Sequence, residues 1–181
     1  MNRPFYTVGH STRTLEEFVE LLRAGEVERI VDVRLIRRSR TNPQYDEATL
    51  GTDLGAFGIA YEPIPKLGGR RPKSTTVPPD INGMWENQSF HNYADYALSD
   101  EFRAGLEQLI MLGRERNTAV MCSEAVWWRC HRRMISDHLL ARDEAVFHLM
   151  GRDQVEPAQL NKGAVVETAR TVIYPAPSGE P

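Results

Sequence analysis

Short apolar runs alternate with amphipathic stretches along this chain. That pattern predicts an α/β fold of three layers, with a mostly parallel sheet of about five strands and helices on both faces. Two observations carry the expectation. Arg29-Ile30-Val31-Asp32-Val33 and Thr118-Ala119-Val120-Met121 are brief and nearly continuous in apolar side chains, as strands covered on both faces are. Between such runs, apolar residues recur at helical spacing behind capping residues. At 181 residues and 41% hydrophobic content, the chain suits a single core. We place that domain at residues 1–155, with a C-terminal extension over 156–181 whose end, from Tyr174 to Pro181, is disordered by composition.

Taken in order, Phe5-Tyr6-Thr7-Val8 reads as the first strand, broken by Gly9-His10-Ser11-Thr12. Thr14 and Glu17 form a capping box, and Leu15, Phe18, Val19, Leu21 and Leu22 line one helix face until Gly25 supplies a stop. Residues 29–33 form the second strand, followed by an arginine-rich loop to Pro43. Asp46 is placed to cap a helix from Glu47 to Phe57, which Gly58 ends. Ile59-Ala60-Tyr61 is the third strand. The stretch from Pro63 to Asn92 has no sustained period and reads as a functional lid, a partner-binding loop or a disordered segment, parts of which Trp85 and Phe90 pack down. Helical spacing returns from Tyr93 to Arg116, with Ser99 a cap and Phe102, Leu106, Leu109 and Ile110 on one side. After the 118–121 strand and a loop comes a helix with Met134, Ile135, His138 and Leu139 in its stripe, then a strand over 145–149 and a short helix near Pro157 to Leu160. The order of strands, flavodoxin-like or Rossmann-like, and the alternative of an incomplete barrel are not separated by these patterns.

The candidate site is the stretch Asn117 to Arg133, where both cysteines lie with Glu124, His131, Arg129, Arg132 and Arg133 beside two tryptophans. In a parallel sheet, ligands bind outside the carboxyl ends of the strands. The turn holding His10 and Ser11, the strand end at Asp32 and Arg34, and Cys122 therefore converge on one rim. Cys122, Glu124, His10 and Asp32 are the candidate catalytic groups: a thiol nucleophile, a general base, an acid or base in a turn, and an orienting or paired carboxylate. The spacing from Cys122 to Arg129 is one residue longer than the Cys-x5-Arg phosphate loop of cysteine phosphatases, and Glu124 opposes an anion there. Two other readings of the cysteines stay open: ligation of a metal with His131, which fits no usual zinc spacing, and simple burial. Two cysteines in a reducing compartment do not make a disulfide framework. Trp127 and Trp128 read as packing rather than as a base-stacking platform.

A net charge of −3 gives no overall basic footprint for nucleic acid, but three basic clusters follow predicted strands: Arg34 to Arg40, Lys66 to Lys73, and Arg129 to Arg133. No apolar run has the length of a bilayer span, and the N-terminus lacks the apolar core of a secretory signal, which together predict a cytoplasmic protein without a membrane partner. The glycine-rich dinucleotide fingerprint is missing.

Thr7-Val8-Gly9-His10-Ser11, Asp32-Val33-Arg34, Ser39-Arg40-x-Asn42-Pro43-Gln44-Tyr45, Gly58-Ile59-x-Tyr61, Leu67-Gly68-Gly69, Phe90-x-x-Tyr93-Ala94 and Met121-Cys122-x-Glu124 followed by Cys130-His131-Arg132 stand in this order. Over roughly residues 5–150 this set resembles the domain of unknown function 488 family, whose activity is unassigned. Arg37 departs from the pattern, which implies a proline there. The resemblance implies the limits of the domain and the choice of site. The ligand-binding candidates there are Ser11, Arg34, Arg40, Gly68, Gly69, Tyr93, Arg129, His131 and Arg132. Convergence of acid, base, thiol and guanidinium groups on one predicted rim gives the expectation of an enzyme acting on a phosphate-bearing ligand, a nucleotide or nucleic acid. The alternative is a non-catalytic nucleic-acid-binding module. Cofactors, metals and oligomeric state are not read from the chain, except that no residue is assigned to a metal.

Overall fold

The computed structural model describes residues 2–177. Five parallel strands, β1 (Phe5–Gly9), β2 (Arg29–Asp32), β3 (Ala60–Pro63), β4 (Thr118–Cys122) and β5 (Val146–Gly151), are joined by a sixth, antiparallel strand, β6 (Gln154–Pro157). The order across the sheet is β3-β2-β4-β1-β5-β6. This is neither a flavodoxin-like nor a Rossmann-like order, and the sheet is open rather than a partial barrel: β4 inserts between β2 and β1. All five residues of β4 are buried, which is why its sequence carries no polar face.

Helices cover both faces. On one side α1 (Leu15–Leu22) and α2 (Glu47–Gly55) bury Phe18, Leu22, Leu50 and Leu54 against Val8, Ile30, Ala119 and Met121. On the other α3 (Gln88–Tyr96), α4 (Asp100–Glu115) and α5 (Arg132–Leu140) bury Tyr93, Phe102, Leu106, Met134 and Ile135 against Phe5, Val31, Val33 and Val120. Alternate residues of β2 and β4 therefore feed opposite cores, as the pleat requires.

The capping box of α1 is complete: the Thr14 hydroxyl accepts from Glu17 N at 3.1 Å and Glu17 accepts from Thr14 N at 3.0 Å. Ser99 caps α4 as expected. Other local expectations are corrected. The left-handed residue that ends the first helical segment is Glu26, φ 49°, not Gly25. Gly25 lacks a side chain because the Tyr6 ring packs over it, 2.7 Å from where a Cβ would stand. Asp46 does not cap α2; its carboxylate accepts from Ser39 N at 2.7 Å and ties down the arginine-rich loop. The long loop after β3 ends earlier than its composition implied, because α3 starts at Gln88 behind an Asn87 cap.

The C-terminal stretch departs most from expectation. In place of a helix near Pro157 to Leu160, Gln154–Pro157 pair with β5 as an exposed, polar edge strand. The chain then makes a small hairpin of β7 (Val165–Val166) and β8 (Val172–Ile173). Tyr174, placed in the disordered tail by its neighbours' composition, is fully buried. Its hydroxyl donates to Asp137 at 2.7 Å and its N–H to Asn82 at 2.9 Å, while Asn161 gives two further hydrogen bonds to Asp137. Ring contact with Trp85 completes the anchor. Residues 178–181 of that predicted tail lie outside the described residues. Truncating a buried aromatic costs about 3–5 kcal/mol, so Tyr174→Ala is expected to lower the urea-unfolding free energy by that order. A change within error would show the segment to be dispensable.

Candidate functional site

The strand order decides what meets at the carboxyl end of the sheet. With β4 between β2 and β1, the loop after Cys122 lies directly beside the turn after β1 and the strand end at Asp32. His10 N donates to Cys122 O at 2.9 Å and Ser11 N to Ser123 O at 3.0 Å. Gly9 is required by this approach, since a Cβ there would fall 1.6 Å from the Glu124 carbonyl oxygen. Ser11 takes a left-handed conformation, φ 50°, to complete the turn.

Arg132, the first residue of α5, holds the loop from below. It is fully buried, and its guanidinium donates to Glu124 O at 3.1 Å, Ala125 O at 3.2 Å and Thr7 Oγ1 at 3.4 Å. None of these acceptors is charged, and Nε has no partner. Ser123, Glu124 and Ala125 thus turn successive carbonyls toward the protein, and in a trans peptide the following N–H points the opposite way. The N–H groups of Glu124, Ala125 and Val126 have no acceptor among the described residues.

On the other side of the rim, Asp32 and Arg34 form a buried bidentate pair, with Nη2–Oδ2 2.7 Å and Nε–Oδ1 3.0 Å. Asp32 also accepts from Arg34 N and, at 2.6 Å, from the Tyr61 hydroxyl. Its lone pairs are therefore committed to positioning Arg34. Arg34 donates in turn to Tyr45 O at 2.7 Å and to His10 Nε2 at 3.3 Å. Because His10 Nδ1 faces the Ser11 carbonyl at 2.8 Å, that nitrogen carries the proton and Nε2 accepts. The ring stacks on Tyr45 at 4.1 Å. Burial, reinforced by the Arg34 charge, lowers the His10 pKa to about 4, so the imidazole is neutral at pH 7.

Two adjoining clefts open over these groups and share Arg34, Ile36, Ser123 and Glu124 as a wall. The first, about 250 Å³, is lined also by Gly69, Arg70, Phe90, Tyr93, Cys122, Arg129, Cys130 and His131. The second, about 510 Å³, has His10, Ser11, Arg38 and Asn42 on its walls. The cysteines are 3% and 5% exposed. Burial opposes ionisation of Cys122, but the neighbouring Cys130 and the Arg132 charge together bring its pKa below the ordinary thiol value. Burial and the neighbouring Cys122 push Cys130 well above it. The head of α5 serves Cys130 rather than Cys122: Arg132 N, the first N–H of α5, donates to Cys130 Sγ at 3.4 Å. The loop between the two cysteines separates Cys122 from the helix.

Of the sequence candidates, Cys122, Glu124, Arg34, Gly69, Tyr93, Arg129 and His131 meet at the first cleft, and His10 and Ser11 at the second. Glu124 is exposed on the wall the two share. Gly68 stands behind Gly69, packed on the Pro65 carbonyl. Tyr93 is buried and donates to Leu67 O. Gly69 admits the His131 ring, 2.9 Å from where its Cβ would lie. Asp32 and Arg132 are buried beneath the rim rather than lining it, and Arg40 is exposed and lines neither cleft. Sequence reasoning left out Arg70, Leu35, Ile36, Phe90, Tyr45 and Tyr61. Tyr45 and Tyr61 stood inside motifs already noted, and Arg70 inside a basic cluster; its left-handed backbone, φ 54°, had no sequence signal. Trp127 stacks on His148 at 4.8 Å, while Trp128 is 44% exposed. Among the described residues no three His, Cys, Asp or Glu side chains are grouped to hold a metal ion, and no helix is long and apolar enough to cross a membrane.

A family model described as Domain of unknown function DUF488 matches residues 14–139. The chain belongs to that family. Searches of curated proteins and of solved structures gave no match. The matched segment takes in β2, β3 and β4 with their loops, both cysteines and Arg132, but stops short of β5 and the C-terminal anchor.

Burial is the largest cause in lowering four histidines together: His10, His131 and His148 to about 4 and His138 to about 3. In the unfolded chain each returns to about 6.5. Between these values the unfolded state binds more protons, so stability rises with pH; the contribution is complete above the unfolded value and is lost as pH falls toward 4. Urea unfolding is expected to show a midpoint that drops between about pH 7 and 5, with a slope on the order of 1 kcal/mol per pH unit for each histidine. A flat midpoint over that interval would contradict the burial of these rings.

Proposed function

We propose that the protein is an enzyme acting on a phosphate-bearing ligand, a nucleotide or nucleic acid, held in the cleft over Cys122. The observation that carries this reading is the set of donors left over around that thiol. Arg70 and Arg129 line the cleft, are exposed, and have no hydrogen-bond or ion-pair partner among the described residues. Other members of the basic clusters are committed elsewhere: Arg34 to Asp32, Arg37 to Glu47, Arg71 over the Tyr96 ring, and Arg133 to Asn161 and the Trp85 ring. Two free guanidinium groups and a row of unpaired N–H groups suit an anion with several oxygens. Leu35 and Ile36, each about half exposed, with Phe90 give the same cleft an apolar side for a base or other flat group.

In this reading Cys122 is the nucleophile and Glu124 the exposed carboxylate that moves a proton, while neutral His10, both of whose ring nitrogens are engaged by Ser11 and Arg34, holds the wall of the adjoining cleft. Asp32 and Arg132 act as positioning residues, the first through Arg34 and the second through the loop. Glu124 stands on the wall the clefts share, so a phosphate is kept on the Arg70 and Arg129 side by repulsion. Calorimetric titration with a panel of nucleotides and inorganic phosphate tests the site. Removing a hydrogen bond to a charged group costs about 1.5–3 kcal/mol, so Arg70→Ala with Arg129→Ala is expected to weaken binding at least tenfold. Cys122→Ser should keep binding and lose turnover. Failure of the native protein to bind any phosphate compound would overturn the reading.

The non-catalytic alternative draws support from Trp128 beside Arg129, with Arg38, Arg40 and Lys73 also exposed. Nucleic-acid binding carried by phosphate contacts should fall steeply between about 50 and 200 mM salt. It should also survive Cys122→Ser with no associated turnover in the native protein.

A further inference from the structure

We propose that Cys122 and Cys130 form a dithiol centre that a hydroperoxide oxidises: Cys122 is the sulfur attacked first, and Cys130 resolves it to a disulfide within the chain. This goes beyond the phosphate-ligand reading and does not rest on it. The geometry supplies each part. Cys122 and Cys130 line one cleft and pack in the same buried cluster. At 3% exposure, Cys122 is reached only by a small reagent, which favours a hydroperoxide over a bulky disulfide. The loop between the two cysteines is held by a fully buried arginine, Arg132, whose guanidinium donates only to neutral oxygens among the described residues and whose backbone N–H donates to the Cys130 sulfur. A buried cation without a counter-ion is costly, and a Cys122 thiolate is the anion this position calls for. His131 sits on the other side of the resolving sulfur. Its Nε2 donates to Val33 O at 3.0 Å, so Nδ1, 3.6 Å from Cys130 Sγ, is the unprotonated nitrogen.

The steps balance. The Cys122 thiolate attacks one oxygen of the hydroperoxide, the O–O bond breaks, and hydroxide or alkoxide leaves while Cys122 becomes a sulfenic acid. Cys130 passes its proton to His131 Nδ1 and attacks Cys122 Sγ. The S–O bond breaks, and the departing hydroxide takes that proton and leaves as water. Two electrons pass from the pair of sulfurs to the peroxide, and a dithiol reductant returns them.

The test treats the native protein with hydrogen peroxide and reads intact mass and peptide maps, with Met111, 69% exposed, as the internal marker that oxidant was present. The expected result is loss of two hydrogens per chain, a Cys122–Cys130 linked peptide, and full reversal by dithiothreitol. Cys130→Ser, checked by circular dichroism, should stall at a sulfenic acid on Cys122 that dimedone traps when added with denaturant after the peroxide is removed; Cys122→Ser should give no dimedone adduct on Cys130. The proposal is overturned if both thiols persist while Met111 is oxidised, if the disulfide joins two chains, or if Cys130 is the sulfur trapped first. The wild-type arm needs no variant to fold. Because no phosphate compound is present, its failure leaves the Arg70 and Arg129 titration unaffected.

Discussion

The buried guanidinium of Arg132 is the constraint on which the site depends. It ties three segments that are distant in sequence: the middle of β1 through Thr7, the loop after β4 through Glu124 and Ala125, and the start of α5, to which it belongs. Charged side chains are almost never fully buried unless paired. Here the pairing is with backbone carbonyls, which forces the loop to turn its carbonyls inward and its N–H groups outward. The same contact leaves Gly9 no room for a side chain. One interaction thus shapes the loop, presses it on the strand beside it, and sets a positive charge beside two thiols.

The Asp32–Arg34 pair plays a comparable part on the neighbouring strand by a different route. Both side chains are desolvated, at 0% and 5% exposure, and removing one partner from such a pair typically costs about 3–5 kcal/mol because the other charge is stranded. The carboxylate is satisfied by Arg34 and Tyr61, and the guanidinium reaches Tyr45 and His10. The result is a rigid wall between the two clefts, with a neutral imidazole on one side and thiols on the other. Of the arginines that line the clefts, Arg70 and Arg129 beside the thiols and Arg38 at the second cleft have no partner among the described residues.

Local physics made much of the fold legible in advance. Strands β1 to β5, the capping box at Thr14 and the Ser99 cap all follow from periodicity, apolar runs and side-chain chemistry within about ten residues. Misreadings arose where a residue's partner lay elsewhere. Asp46 has the chemistry of a helix cap, yet its carboxylate accepts from Ser39. Tyr174 sits among prolines and small residues but buries its ring because Asp137 and Asn82 offer acceptors in the folded state. Its sequence environment resembles that of a disordered tail, and only long-range packing overrides it.

By itself, the sequence determined the class of the fold, the alternation of its elements, and the segment in which the reactive side chains are concentrated, because each depends on neighbours along the chain. The tertiary structure decided the insertion of β4 between β2 and β1, the sorting of the arginines into committed and free, and the attachment of Cys130 rather than Cys122 to the head of α5. Strand order and the pairing of buried charges are set by contacts between segments tens of residues apart. Such contacts leave no periodic trace in the sequence, since a parallel strand reads alike whatever its neighbours.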